Sequence, residues 1–200
     1  RAFRANSDAV VSVDTRHAET ARVVLEEGAD IINDIQALAD RNMPEIAAHH
    51  GAAVVLMHMQ GTPATMQLAP HYTDCVTEIA DFLRHAVARA KAAGIPDDAI
   101  ILDPGIGFGK LLEHNMDLLS SIGVFRSMGY PVLIGLSRKR MIGELTGREI
   151  QDRMAGSIGG ALAAAILGAD ILRVHDVPET VDALKVCTAI LSHAGRKEQT

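Results

Sequence analysis

Side chains able to do chemistry recur in this 200-residue chain at one kind of place, the far end of a short apolar run. Asp14 follows the run over residues 9–13, and Asn33 the run over 31–32. Met57 and His58 follow 53–56, and Asp103 follows 99–102. Ser137 and Lys139 follow 131–135, while Arg173 and His175 close the run over 170–174. Asp14, Asn33 and Asp103 together suit a flat polar heterocycle, because a carboxylate accepts parallel hydrogen bonds from an amino group and an adjacent ring N–H. Charge-assisted bonds of this kind contribute roughly 1.5–3 kcal/mol each. Taken singly, each also fits a helix N-cap. The basic run Ser137-Arg138-Lys139-Arg140, with Arg173 and His175, points to a place where anions collect in an otherwise acidic chain of net charge -6.

The segment Asp103-Pro104-Gly105-Ile106-Gly107-Phe108-Gly109-Lys110 resembles a phosphate loop only superficially. A Walker A loop requires Gly where Pro104 stands and Ser or Thr where Leu111 stands, and a dinucleotide fingerprint requires a third Gly at Lys110. The better reading is a tight turn that exposes backbone after a strand ending in a carboxylate, with a purely structural turn as its alternative. None of the nine His residues forms a metal-binding spacing, and there is no GxSxG elbow. His58 reads as a satisfied buried histidine, and His49 and His50 as the end of a helix.

Between these runs lie helix-like stretches, five of which stop at Gly28, Gly51, Gly94, Gly129 and Gly168. Connections from helix to strand are therefore short. Those over residues 59–72, 104–112 and 136–149 are longer, follow strand C-termini and mark the working face. Residues 73–93 carry Val76, Ile79, Ala80, Leu83, Val87 and Ala90 at helical spacing. Small residues over 154–167 allow a second helix to pack closely, or to form a subunit contact. Alternating strands and helices imply an α/β fold with a parallel sheet. Chemistry after every strand, rather than at one switch point, favours a TIM (β/α)8-type barrel, here an incomplete six-unit portion of a fold that takes about 250 residues. The opening Arg1-Ala2-Phe3-Arg4 reads as the tail of a helix and the N-terminus as truncated.

Acidic balance, 3% aromatic residues and no Trp argue against a nucleic-acid surface. No apolar run reaches the roughly 18 residues of a membrane span. Cys75 and Cys187 show no paired or zinc-like spacing and read as reduced thiols of a cytoplasmic protein.

The segments Ser12-Val13-Asp14-Thr15, Ile31-Ile32-Asn33-Asp34-Ile35, Leu56-Met57-His58-Met59-Gln60-Gly61, residues 103–110, Gly135-Leu136-Ser137-Arg138-Lys139 and Arg173-Val174-His175-Asp176 stand in the order expected of dihydropteroate synthase. The chain resembles that family over its third to eighth βα units, as one pterin-binding domain over residues 1–200 without the first two. The resemblance implies a transferase of folate biosynthesis that joins 6-hydroxymethyl-7,8-dihydropterin pyrophosphate to p-aminobenzoate. It makes Asp14, Asn33, Asp103 and Lys139 pterin anchors, with Ile35, Met57, Phe108 and Gly135 shaping the slot. Arg173 and His175 become pyrophosphate ligands, and Phe108 and Lys139 flank p-aminobenzoate, with Arg140 either binding its carboxylate or turned to solvent; Lys139, Asp103, Arg173 and His175 carry the catalysis. It further implies Mg²⁺, with its main protein ligand outside this chain, and a homodimer. Arg140 departs from the family pattern, which has Ser or Thr there. The alternatives are the pterin-binding module of a corrinoid methyltransferase and a catalytically inactive truncated barrel.

Overall fold

A computed structural model describes residues 2–197. Six short parallel strands alternate with helices: β1 (Ser12–Asp14), β2 (Ile31–Asp34), β3 (Ala53–Met57), β4 (Ile100–Asp103), β5 (Leu133–Ile134) and β6 (Ile171–Leu172). The helices are α1 (Ala18–Glu26), α2 (Met43–His49), α3 (Cys75–Ala92), α4 (Leu112–Ser120), α5 (Ile122–Arg126), α6 (Arg140–Thr146), α7 (Met154–Ile166) and α8 (Val177–Lys197). Strands β1 to β4 pair in sequence order, β5 pairs with β6, and a bridge from Leu102 to Val132 joins the two groups. One cavity of about 520 Å³ is lined by Ser12, Ile31, Val55, Ile101, Leu133 and Ile171, which stand on β1 to β6 in that order. A flat sheet could not wrap one cavity this way; the ribbon is curled as in a barrel.

Two-residue periodicity explains the inside and outside of that ribbon. Ile32, Val54, Leu56, Ile100 and Leu102 point outward into the layer beneath the helices and are fully buried. Helix α3 covers this layer with Ile79, Ala80, Leu83, Ala86, Val87 and Ala90, as its spacing predicts. Asp74 caps its first turn by accepting from the Thr77 N–H at 3.1 Å. All five helix-terminating glycines named above hold positive φ.

Three expectations are corrected. Residues 2–6 form turns rather than the tail of a helix, and β1 begins at Ser12, later than residue 9. Arg4 decides the course of this segment by donating to the Gly28 carbonyl at 2.7 Å and pairing with Asp30, which itself accepts from the Val11 N–H. Residues 136–149 are not simply a loop, because α6 occupies half of them and buries Met141 and Ile142. In α7, Gly156 and Gly160 support the packing reading: an added Cβ would come within 2.7 Å of Ile142 and of Leu136 respectively.

Candidate functional site

Strand register assembles the site. Asp14 stands opposite Asn33 in the β1–β2 ladder, and Met57 opposite Asp103 in the β3–β4 ladder. The Asn33 amide donates to Asp14 at 2.7 Å, and Arg173, just past β6, pairs with the other oxygen of the Asp14 carboxylate. This pair links the C-terminal tips of the first and last strands of the ribbon. Asp14 is therefore no N-cap: α1 is capped at His17, without a side-chain bond. The Asn33 Oδ1 is buried and has no hydrogen-bond partner among the described residues.

Asp103 accepts from the Gly105 N–H at 2.7 Å. Burial pushes its carboxyl up from the usual range, opposed first by Lys139, then by the Gly105 N–H, Lys110 and Arg173. Lys139 donates to the Ile106 carbonyl and lies 4.4 Å from the centroid of the Phe108 ring. Its amine is pushed down to about 8 by burial, which Asp103 opposes and Arg173 reinforces. Met57 and Gly135 are buried, while Ile35 and Phe108 are half-buried. Asp103, Phe108 and Lys139 thus form one group and Asp14, Asn33 and Arg173 another, with Arg173 near enough to act on the charges of both Asp103 and Lys139.

The anion-collecting cluster needs revision. Arg138 pairs with Asp176 and Arg140 with Glu144, so two of the charges in the 137–140 run are neutralised locally. Arg140 begins α6 with an exposed side chain beside a cavity of about 640 Å³ that Lys139 and His175 also line. Ser137 is buried, and its hydroxyl accepts from the His175 backbone N–H at 3.3 Å and lies 2.9 Å from His175 Nδ1. His58 is buried as expected, stacked edge-on against Phe82 at 4.8 Å. His49 and His50 end α2.

Sequence reasoning missed several groups that hold these side chains. Asp34, fully buried, accepts from the Gln36 and Leu38 N–H groups at 2.8 Å each and so fixes the turn beyond Asn33. Asn115 accepts from the Gly107 N–H at 2.7 Å. Lys110 is buried under the glycine loop. The only local signal was an Asp directly after Asn33 and a Lys closing the glycine run. Among the described residues no three His, Cys, Asp or Glu side chains stand close enough to hold a metal ion. Nor is any described helix long and apolar enough to cross a membrane. Cys75 and Cys187 are both free thiols.

Residues 1–175 match the pterin binding enzyme family. The chain belongs to that family. Within it, the dihydropteroate synthase of Escherichia coli K12 is 47% identical over 182 residues, covering 91% of this chain and 64% of the relative. The chain thus spans less than two thirds of that relative's length. The crystal structure of Yersinia pestis dihydropteroate synthase with a sulfonamide drug complex superposes with a TM-score of 0.93 at 43% identity, over 96% of this chain and 70% of that one. The Thermus thermophilus dihydropteroate synthase in complex with 4-aminobenzoate gives 0.87 at 47% identity, over 90% and 70%. These neighbours carry the TIM-barrel fold of pterin-binding enzymes, to which the curled ribbon of parallel strands conforms.

Proposed function

We propose that this chain is the pterin-binding barrel domain of a dihydropteroate synthase, residues 1–200 corresponding to the third to eighth βα units. The reaction condenses 6-hydroxymethyl-7,8-dihydropterin pyrophosphate with p-aminobenzoate to give 7,8-dihydropteroate and pyrophosphate. The observation that carries this reading is the buried, unpartnered Asn33 Oδ1 beside Asp14. An orphaned buried acceptor costs about 1–3 kcal/mol, and a ring N–H of a bound pterin removes that cost.

In this reading Asp14, Asn33, Asp103 and Lys139 hold the pterin edge between Ile35, Met57, Phe108 and Gly135. Arg173 exchanges Asp14 for the pyrophosphate when substrate arrives, leaving the Asp14 carboxylate free for the pterin. Both partners are more than half exposed, so the exchange costs little. The C–O bond breaks with its electron pair leaving on pyrophosphate, whose growing charge faces Arg173 and His175. The aniline nitrogen of p-aminobenzoate then attacks the pterin cation, loses its proton and completes the new C–N bond. Asp103 keeps negative charge near that cation, and Phe108 and Lys139 flank the aniline ring with Arg140 beside its carboxylate. Mg²⁺ belongs to the reading as counter-charge for the pyrophosphate, with its main protein ligand expected outside this chain. A homodimer in a reducing, cytoplasmic compartment completes it, in keeping with the two free thiols.

Labelled p-aminobenzoate, the pterin pyrophosphate and Mg²⁺ should yield labelled dihydropteroate. Binding of a methylated tetrahydrofolate without any condensation would replace this reading by the methyltransferase module. Absence of both activities would favour a non-catalytic barrel.

Ser137 bears on the leaving group. With the Ser137 hydroxyl as donor to His175 Nδ1, one of the two roles their 2.9 Å contact allows, the imidazole proton stands on Nε2 as a donor for anions. Ser137→Ala should weaken pyrophosphate binding about fivefold, the equivalent of roughly 1 kcal/mol for one hydrogen bond, in isothermal titration. Unchanged affinity would show that the hydroxyl does not orient the ring.

A further inference from the structure

Four consecutive carbonyls of the loop after β4 are each held by a side chain from another part of the fold or the loop's own end. Lys139 donates to Ile106, the Gln67 amide to Gly107 at 2.9 Å, Lys110 to Phe108 at 2.9 Å and the Tyr72 hydroxyl to Gly109 at 2.8 Å. Lys110 is the buried ionisable member that the reaction leaves unused. Only 4% of its surface is exposed, and none of its hydrogen bonds among the described residues goes to a carboxylate. Its Nζ instead reaches His58 Nδ1 at 3.2 Å and the His58 carbonyl at 3.4 Å, at the end of β3. A buried amine with no carboxylate bonded to it is costly, and an apolar side chain of the same length would fill the space without that cost.

We propose that Lys110 is a positioning residue that ties the Phe108 carbonyl to His58 at the end of β3, holding the Phe108 ring against Lys139 and so setting the site's affinity for the aromatic amine. What the ring faces rests on the synthase reading; the tether does not.

The groups facing Lys110 are His58 just past β3, Cys75 from α3, Asp103 from β4 and Lys139 before α6. Burial pushes the Lys110 amine down to about 7. His58, pushed down to about 3 mainly by burial, stays neutral above that, and Cys75, pushed up to about 11, stays protonated up to there. Opening the loop returns Lys110 to water, where its affinity for protons rises toward the ordinary value. The closed loop therefore binds fewer protons than the open one, and raising the pH above about 7 favours closure. Lys139, at about 8, adds to this in the same direction.

Hydrogen exchange read by mass spectrometry tests the tether in Lys110→Met against the wild-type chain. Amides of residues 105–109 are expected to exchange at least tenfold faster in the variant, with α3 and β4 unchanged. KM for p-aminobenzoate should rise several-fold more than KM for the pterin substrate. Unchanged loop exchange in a folded variant overturns the proposal, as does an equal rise in both KM values. If the variant does not fold, the wild-type chain decides: protection of 105–109 relative to β2 should climb several-fold per unit between pH 7 and 9, and a flat ratio overturns the tether. Faster loop exchange in a protein whose wild type condenses nothing would sink the synthase reading and leave the tether standing.

Discussion

Changing Lys139 to Met is expected to lower kcat/KM for dihydropteroate formation by about 10²–10³-fold, the usual cost of removing one preorganised charged donor. The ammonium does three things. It donates to the Ile106 carbonyl, packs 4.4 Å from the Phe108 centroid and opposes the upward push of burial on Asp103. Without it the Asp103 carboxyl moves further up, and the pterin cation loses part of its compensating charge. Because burial pushes the Lys139 amine down to about 8, wild-type activity that depends on the charged form should decline as pH rises through that value. Steady-state kinetics from pH 6 to 9, with circular dichroism to check the fold, measures both effects. A loss under tenfold in a folded variant would remove Lys139 from the reaction.

The largest effect on stability is expected at Gly105. Its φ is +74°, and a Cβ added there would lie 1.9 Å from the His58 carbonyl oxygen and 3.0 Å from its carbon, both main-chain atoms at the end of β3. Neither can turn aside as a side chain can, because the His58 N–H is itself bonded to the Asp103 carbonyl at 3.1 Å. Gly105→Ala combines left-handed strain of about 1–3 kcal/mol with an overlap of about 1–3 kcal/mol. A total of about 2–6 kcal/mol in urea denaturation follows, reaching the exceptional tail for single substitutions. Gly51→Ala is the control, since φ is +61° there and nothing lies within 4 Å of the added atom. It should cost only the strain. Equal losses at the two positions would mean that the approach of β3 to the loop carries no energy.

Much of the barrel was legible because its signals are local. Helix α3 shows its buried face in the spacing of Ile79, Leu83, Val87 and Ala90, and each Gly that ends a helix announces a strand a few residues later. Strand ends were placed within a few residues because apolar runs stop where polar side chains begin. The helix α6 was hidden in a stretch rich in charge and Gly, where buried Met141 and Ile142 are too few to set a period. The opening segment reads as the tail of a helix, but Arg4 directs residues 2–6 through partners as distant as Gly28 and Asp30.

By itself, the sequence determined which residues stand at strand ends, because the two-residue period of strands and the 3.6-residue period of helices are written in neighbouring positions. It therefore placed Asp14, Asn33, Asp103, Lys139, Arg173 and His175 on one face. Only the tertiary structure decided which of them are engaged and with whom. Arg173 meets Asp14 across 159 positions of chain, Arg138 turns to Asp176 across 38, and Lys110 reaches His58 across 52. Such partners depend on ladder register and on the curl that brings β1 and β6 together. A polar side chain bonds the partner nearest in space, and distance along the chain carries no record of that.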